Sequence, residues 1–350
     1  MRILIATDAW HPQVNGVVRT LTMMAEAARP LGVDVGFVTP QSFRTVALPS
    51  YPDLRLALPS PAKIARLIAD ARADSIHIAT EGPIGLLARR YCRQHGLPFT
   101  TSFHTRFPEY ISARLPVPES WIWAGLRWFH NASQAVMAAT PALASELRSR
   151  GLRNVVLWPR GVDIRHFHPR PVDLGLPRPI FLCVGRVAVE KNLDAFLDLD
   201  LPGTKLIVGD GPARAALTRK YPQAVFLGAR QGEALAQAYA AADVFVFPSR
   251  TDTFGLVLLE ALASGLPVAA FPVSGPRDVI GSAPVGSLHD DLQVACLSAL
   301  SLSPRACLAF AARHSWEASA RAFVDNVIRA RIDPQGGAVP FEVDQPRFVG

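Results

Sequence analysis

Cysteine is scarce in this chain: four in 350 residues, Cys92, Cys183, Cys296 and Cys307, with no paired spacing. That excludes a disulfide-built scaffold and a cysteine-rich zinc site, and it suits buried thiols of a reducing compartment. Charge is also sparse, 19% of residues against 49% hydrophobic, which excludes a disordered chain and predicts large cores. Long apolar runs are missing, so no segment reads as a bilayer span. The opening MRILIATDAW carries too short an apolar run before Asp8 for a secretory signal, and a cytoplasmic location is expected. Acidic residues are outnumbered, giving a net charge of +7, but the basic ones are dispersed and form no nucleic-acid module. The excess points to nucleotides or an anionic membrane surface, with no nucleic acid and no obligate protein partner.

What is present is a repeated rhythm, with room for two domains. Arg2–Thr7, Val33–Thr39, Ser75–Thr80, Leu97–Phe103 and Ala135–Thr140 are apolar, β-rich runs. Between them Val18–Ala28, Pro61–Ala71, Pro83–His95 and Trp121–Asn131 read as helices. Prolines 159, 169, 171, 177 and 179 mark a linker, since none can continue a helix or a central strand. The rhythm restarts with Ile180–Gly185, Thr204–Gly209, Ala224–Gly228, Val244–Pro248 and Leu266–Phe271. The fold class is α/β, two doubly wound Rossmann-like domains whose strand ends line a ligand cleft. Expected boundaries are 1–168, 169–315, a helix at 316–332, and a Pro- and Gly-rich flexible tail at 333–350.

The most informative run is PSRTDTFGLVLLEALASGLPV, Pro248–Val268. A buried strand ends at Pro248, Asp252-Thr253-Phe254-Gly255 makes a turn, and Leu256–Ala263 is strong helix-forming sequence. Asp252 then sits near a helix start and Glu260 on the helix. Carboxylates accept paired hydrogen bonds from vicinal diols, and helix N-termini suit phosphate. A sugar joined to a nucleotide through a diphosphate presents both features. The alternative is a capping Asp252 and a solvent-facing Glu260. GRVAVEKN, Gly185–Asn192, brackets a strand-to-helix turn with Arg186 and Lys191. Either can reach a diphosphate, or both are exposed basic residues flanking a loop.

The acidic pair, eight residues apart, resembles the signature of retaining nucleotide-sugar glycosyltransferases of family four, the GT-B type with two facing Rossmann-like domains. Here Asp252 replaces the usual first Glu. The resemblance runs from about Met1 to Arg331 through several motifs in order. It implies that Arg186 and Lys191 hold the donor diphosphate and stabilise the leaving group, that Asp252 contacts the sugar, and that Glu260 contacts the ribose. It further implies donor contacts at Thr253, Phe254 and Gly255, at Gly185, and at the turn Gly209-Asp210-Gly211, with the base near Gly228–Arg230. Gly16 matches the family's N-terminal loop, although many relatives carry two adjacent glycines where this chain has Asn15-Gly16. His104 in SFHTRFPEY matches a loop whose imidazole contacts the donor sugar, with Arg106 and Tyr110 as acceptor-side contacts. The C-terminal helix is expected to pack back on the first domain. No metal or other cofactor is expected. Asp198-Leu199-Asp200 has metal-motif lettering but reads as a solvated helix end, and the sequon at Asn131 has no role in a cytosolic chain.

Ile111–Ala132 concentrates Trp121, Trp123, Trp128 and Phe129 beside Arg114 and Arg127. Such a segment either lies in a membrane interface or buries an aromatic face in the core. Similar family members with an FHT-like loop modify lipids. The expected activity is therefore transfer of a hexosyl group from a nucleoside-diphosphate sugar, UDP-linked in the first instance and GDP-mannose in the second. The expected acceptor is a membrane lipid such as diacylglycerol, at the inner face of the plasma membrane. The rivals are a nucleotide-sugar epimerase of the same architecture, a non-catalytic binder, and a transferase acting on a soluble glycan.

Overall fold

The structure, a computed structural model, describes residues 1–11, 16–48, 51–104, 118–251 and 254–332. The chain divides into two units, one holding the residues up to Pro159 and those from Ala320 onward, the other Arg160–Ser319. In the first, β1 (Arg2–Ala6), β2 (Asp34–Val38), β5 (Ser75–Ile78), β6 (Phe99–Ser102), β7 (Ala135–Ala138) and β8 (Val155–Leu157) form a parallel sheet in the order β2-β1-β5-β6-β7-β8. Its physical basis is visible in β1, where alternate side chains leave opposite faces. Ile3 and Ile5 enter a core with Leu21, Met24, Trp158 and Phe323. Leu4 and Ala6 enter another with Ile64, Ile84 and Phe99. Fully burying each of the leucine, isoleucine, methionine and phenylalanine side chains among them stabilises the fold by about 1.5–3 kcal/mol. An antiparallel pair, β3 (Thr45–Leu48) and β4 (Tyr51–Ala57), stands outside this sheet and is absent from the sequence reading.

The second unit repeats the plan with β9 (Ile180–Val184), β10 (Thr204–Val208), β11 (Val225–Gly228), β12 (Val244–Phe247), β13 (Val268–Ala270) and β14 (Gly286–Leu288). Their order is β11-β10-β9-β12-β13-β14. Ile180 and Leu182 face one core, Phe181 and Cys183 the other.

The break between units falls at Pro159, earlier than the expected boundary after residue 168. The cause is packing: Val162 and Phe167 are buried in the second unit's core, and Val162 N donates to His314 O at 2.9 Å. The helix Trp316–Ile332 starts in the second unit, and Ala320, Phe323, Val324 and Val327 lie in the first unit's core. Asn326 Nδ2 donates to Leu157 O at 2.8 Å, fixing that helix at the end of β8. Among the described residues no single helix is long and apolar enough to cross a membrane.

Candidate active site

At the carboxyl end of the second sheet, hydrogen bonding continues past the strands and stitches three loops together. Gly185 N donates to Val208 O at 3.0 Å, Val187 N to Asp210 O at 2.9 Å, and Gly209 N to Gly228 O at 2.9 Å. These loops pack backbone against backbone. A Cβ on Gly209 would stand 1.8 Å from Gly185 O, and one on Gly211 would stand 2.4 Å from Val187 O. Only glycine permits that approach, so the Gly209-Asp210-Gly211 turn has a structural reason before any ligand one. Asp210 Oδ2 pairs with Arg214 at 2.9 Å; Arg230 is exposed beyond β11.

Arg186 and Lys191 sit on this stitched platform. Lys191 ends the short 3-10 turn Val189–Lys191, and Asn192 follows in a left-handed conformation with φ 53°. The Asn192 amide donates to Pro248 O at 3.1 Å, tying the basic turn to the end of β12, where the acidic run begins. Both basic side chains are half-buried and engaged in interactions, which rules out the reading of two fully exposed residues.

Gly255, with φ 82°, precedes the helix Leu256–Ala263. Glu260 on that helix is buried, and its Oε2 accepts from the buried Tyr239 hydroxyl at 2.9 Å. A solvent-facing Glu260 is therefore excluded. A carboxylate withdrawn from water is retained only where hydrogen-bond donors replace it, and Tyr239 is one such donor. Phe254 is half-buried against the second unit's core. Asp252 and Thr253 lie outside the described residues, as do Arg106, Tyr110 and Arg114.

In the first unit Gly16 opens the helix Gly16–Ala28. Asp8, just past β1, does a job that the sequence did not reveal. Its Oδ1 accepts from Ile84 N at 2.8 Å and its Oδ2 from Gly85 N at 3.2 Å and Thr80 Oγ1 at 2.9 Å. It thus caps the helix Pro83–Gln94 from a distant strand. Burial pushes the Asp8 carboxyl above the ordinary carboxylate range, although these hydrogen bonds pull the other way.

His104 follows β6 and is half-buried. Its Nε2 lies 2.8 Å from Ser102 Oγ, and its ring meets Trp158 edge-on at 5.7 Å. Two buried histidines missed by sequence reasoning flank the same strand. On one side His77 bonds Thr100 and Ser102; on the other His130 Nδ1 lies 2.9 Å from Thr101 Oγ1 and its Nε2 lies 3.0 Å from Glu81 Oε1. The available signal was FTTS itself, three hydroxyl residues in a strand buried on both faces, each needing a partner. Glu81→Ala should lower stability by about 1–3 kcal/mol, because it strands a ring nitrogen of the fully buried His130. Glu81→Gln, which keeps an accepting oxygen, should recover most of the loss in a denaturant melt.

The tryptophan segment is not uniform: Trp123 is buried, and Trp121 and Trp128 are exposed. On the helix Glu119–His130, Trp123 is 3% exposed and donates to Glu119 at 2.9 Å, whereas Trp121 is 72% and Trp128 58% exposed. The exposed pair, seven residues apart, shares one helical face with the exposed Ala124 and Gly125. Arg89 stacks under Trp128 at 3.7 Å and donates to the Phe129 and Trp128 carbonyls at the helix end. Asp198 closes the helix Leu193–Leu197, with Tyr221 Oη 2.6 Å away, and no group of three metal-ligating side chains occurs among the described residues.

Comparison with known proteins adds the following. The profile described as Glycosyltransferase Family 4 matches residues 14–166, and that described as Glycosyl transferases group 1 matches residues 178–299. The chain is 33% identical over 308 residues to a GDP-mannose-dependent alpha-mannosyltransferase of Mycobacterium tuberculosis, covering 80% of this chain and 81% of that protein. It is 26% identical over 351 residues to the alpha-monoglucosyldiacylglycerol synthase of Streptococcus pneumoniae, covering 87% and 79%. Among solved structures, Anabaena HepE in complex with UDP and glucose aligns with a TM-score of 0.71 at 17% identity, covering 94% of this chain and 99% of that one.

Proposed function

The chain belongs to glycosyltransferase family 4 and has its α/β GT-B fold, and from that premise we propose a retaining, metal-independent hexosyltransferase that glycosylates a membrane lipid such as diacylglycerol. The observation that carries the reading is the stitched platform with Arg186 and Lys191, tied through Asn192 to the strand that leads into the acidic run. Two cations beside a departing diphosphate neutralise the charge that develops as the glycosidic bond breaks, work that a divalent ion does in many other transferases. Backbone N–H groups in the first turn of the helix Leu256–Ala263 add donors for phosphate. Asp252 takes the sugar hydroxyls, and Glu260, oriented by Tyr239, takes the ribose. His104 hydrogen-bonds the reacting sugar. With no protein nucleophile assigned, transfer proceeds on the front face, and the leaving phosphate helps to accept the acceptor's proton.

The name of the pneumococcal relative supports a diacylglycerol-type acceptor, and the exposed Trp121 and Trp128 support work at a lipid surface. For the donor, UDP-sugars stand first, and the name of the mycobacterial relative puts GDP-mannose beside them. The deciding experiment incubates the protein with labelled nucleotide sugars, with and without lipid vesicles, in excess chelator. Lipid-dependent release of nucleoside diphosphate in chelator is the expected result. Interconversion of sugars without lipid identifies an epimerase, binding without turnover a sensor, and loss of activity restored by magnesium or manganese a metal site.

A further inference from the structure

Arg250 follows the end of β12 in the second unit and takes no part in the contacts assigned to Arg186, Lys191, Asp252 and Glu260. In the order β11-β10-β9-β12-β13-β14, the chain leaves β9 for β10 on one side and β12 for β13 on the other. The carboxyl ends of β9 and β12 therefore flank the point where the strand order reverses, the crevice in which open α/β sheets hold their ligands. Gly185 and Arg186 follow β9 there, and Pro248, Ser249 and Arg250 follow β12. The Asn192 amide ties the Lys191 turn to Pro248 O at 3.1 Å, two residues before Arg250. The Arg250 guanidinium stacks 3.7 Å from the centroid of the Phe271 ring. Phe271, just past β13, is buried in the core of this unit. Arg250 itself is exposed, and among the described residues no carboxylate pairs with it.

We propose that Arg250 binds an anionic oxygen group of the nucleotide-sugar donor, as a third cation beside Arg186 and Lys191. The proposal rests on the donor reading of the second unit. In that reading Arg186 and Lys191 bring positive charge to the ligand, but Asp252 and Glu260 bring as much negative charge to the same ligand. A diphosphate bridge then adds a charge on each phosphate, so two cations leave the complex with a surplus of negative charge that a third reduces. The form of Arg250 suits that work. Its stacked face is spent on Phe271, whereas its in-plane N–H groups make no hydrogen bond among the described residues. Those groups form a fork that matches phosphate or carboxylate oxygens, and a guanidinium already held on a ring loses less freedom when it binds. The rival role is a lid, the side chain merely covering Phe271. A lid has no use for the charge. The anion is either the diphosphate itself or an acidic substituent on the sugar, since one fork serves both.

The test is calorimetric titration of the full chain with UDP, UDP-glucose and UDP-glucuronate, and with GDP, GDP-mannose and GDP-mannuronate. Arg250→Met keeps a long apolar side chain over Phe271 and discards the charge, Arg250→Ala discards both, and Arg250→Lys keeps the charge without the fork. Arg250→Met and Arg250→Ala should each weaken binding by about tenfold or more, the scale of a charge-assisted hydrogen bond, with Arg250→Lys between them and the parent. The melting curve of Arg250→Met should stay close to that of the parent, which separates the loss from any change in folding. An equal loss for the free nucleoside diphosphate and both of its sugars places Arg250 on the diphosphate. A loss confined to the glucuronate or mannuronate places it on an acid carried by the sugar. Parental affinity of Arg250→Met and Arg250→Ala for every probe that the parent binds overturns the proposal alone and leaves Arg250 as a lid. A parent that binds none of the six overturns the donor reading and this proposal with it.

Discussion

Lys191→Ala and Arg186→Ala are each expected to lower kcat by roughly two orders of magnitude or more, about 2.7 kcal/mol of transition-state stabilisation, with melting curves close to that of the parent. The expectation of intact folding comes from the backbone. The turn that carries Lys191 is held by the left-handed Asn192 and its amide on Pro248 O, and Arg186 sits between Gly185 and Val187, each bonded to the neighbouring loop. Truncating either side chain leaves those bonds in place. Their half-buried positions mean that charge placed there is less screened than on an open surface, which is why the catalytic loss should be large. Lys191→Arg should not rescue fully, since a forked guanidinium replaces a compact ammonium. Single-turnover measurements with saturating donor separate the step affected. A lowered chemical rate at full donor occupancy supports leaving-group stabilisation. Near-parental rates in either variant would remove that residue from the diphosphate site.

The placement of the proposed donor-side residues was legible because their settings are local. Arg186, Lys191 and Glu260 each lie within a few residues of a strand end, so a strand-turn-helix pattern places them without long-range information. Strand β1 was legible for a related reason: alternation of two buried faces leaves a continuous apolar run. The hairpin of β3 and β4 escaped because Pro52, Asp53 and Arg55 break any apolar alternation in its second strand. The unit boundary escaped because Val162 and Phe167 are single apolar residues among prolines and charges, with no period to mark them as core. The buried networks around Asp8 and His130 escaped for a deeper reason. Asp8 caps a helix 76 residues on, and His130 meets Glu81 across 49 residues, so their partners are defined only once neighbouring strands are in register. Isolated, each reads as an ordinary polar residue; paired, each satisfies a buried atom that would otherwise cost free energy.

The three tryptophans of the helix Glu119–His130 should separate cleanly by experiment, since the same residue type occupies two different environments. Trp123 packs against Phe103 with near-parallel rings 6.3 Å apart, in a core with Leu126 and Leu143, and its indole donates to Glu119. Trp123→Ala is therefore expected to destabilise the protein by about 3–5 kcal/mol, the cost of emptying a fully packed aromatic site. Trp121→Ala removes a ring that is 72% exposed and should leave the melting curve almost unmoved. Trp128→Ala falls between them, losing its stacking on the Arg89 guanidinium, worth about 0.5–2 kcal/mol. If the exposed face enters a lipid interface, the order reverses in a vesicle assay. Trp121→Ala and Trp128→Ala should weaken flotation with anionic vesicles, and raised salt should weaken it further by screening the chain's net charge of +7. Activity on a short soluble acceptor should survive both changes. Flotation unchanged in the Trp121→Ala, Trp128→Ala double variant would remove this face from membrane binding and make a soluble glycan the better acceptor to pursue.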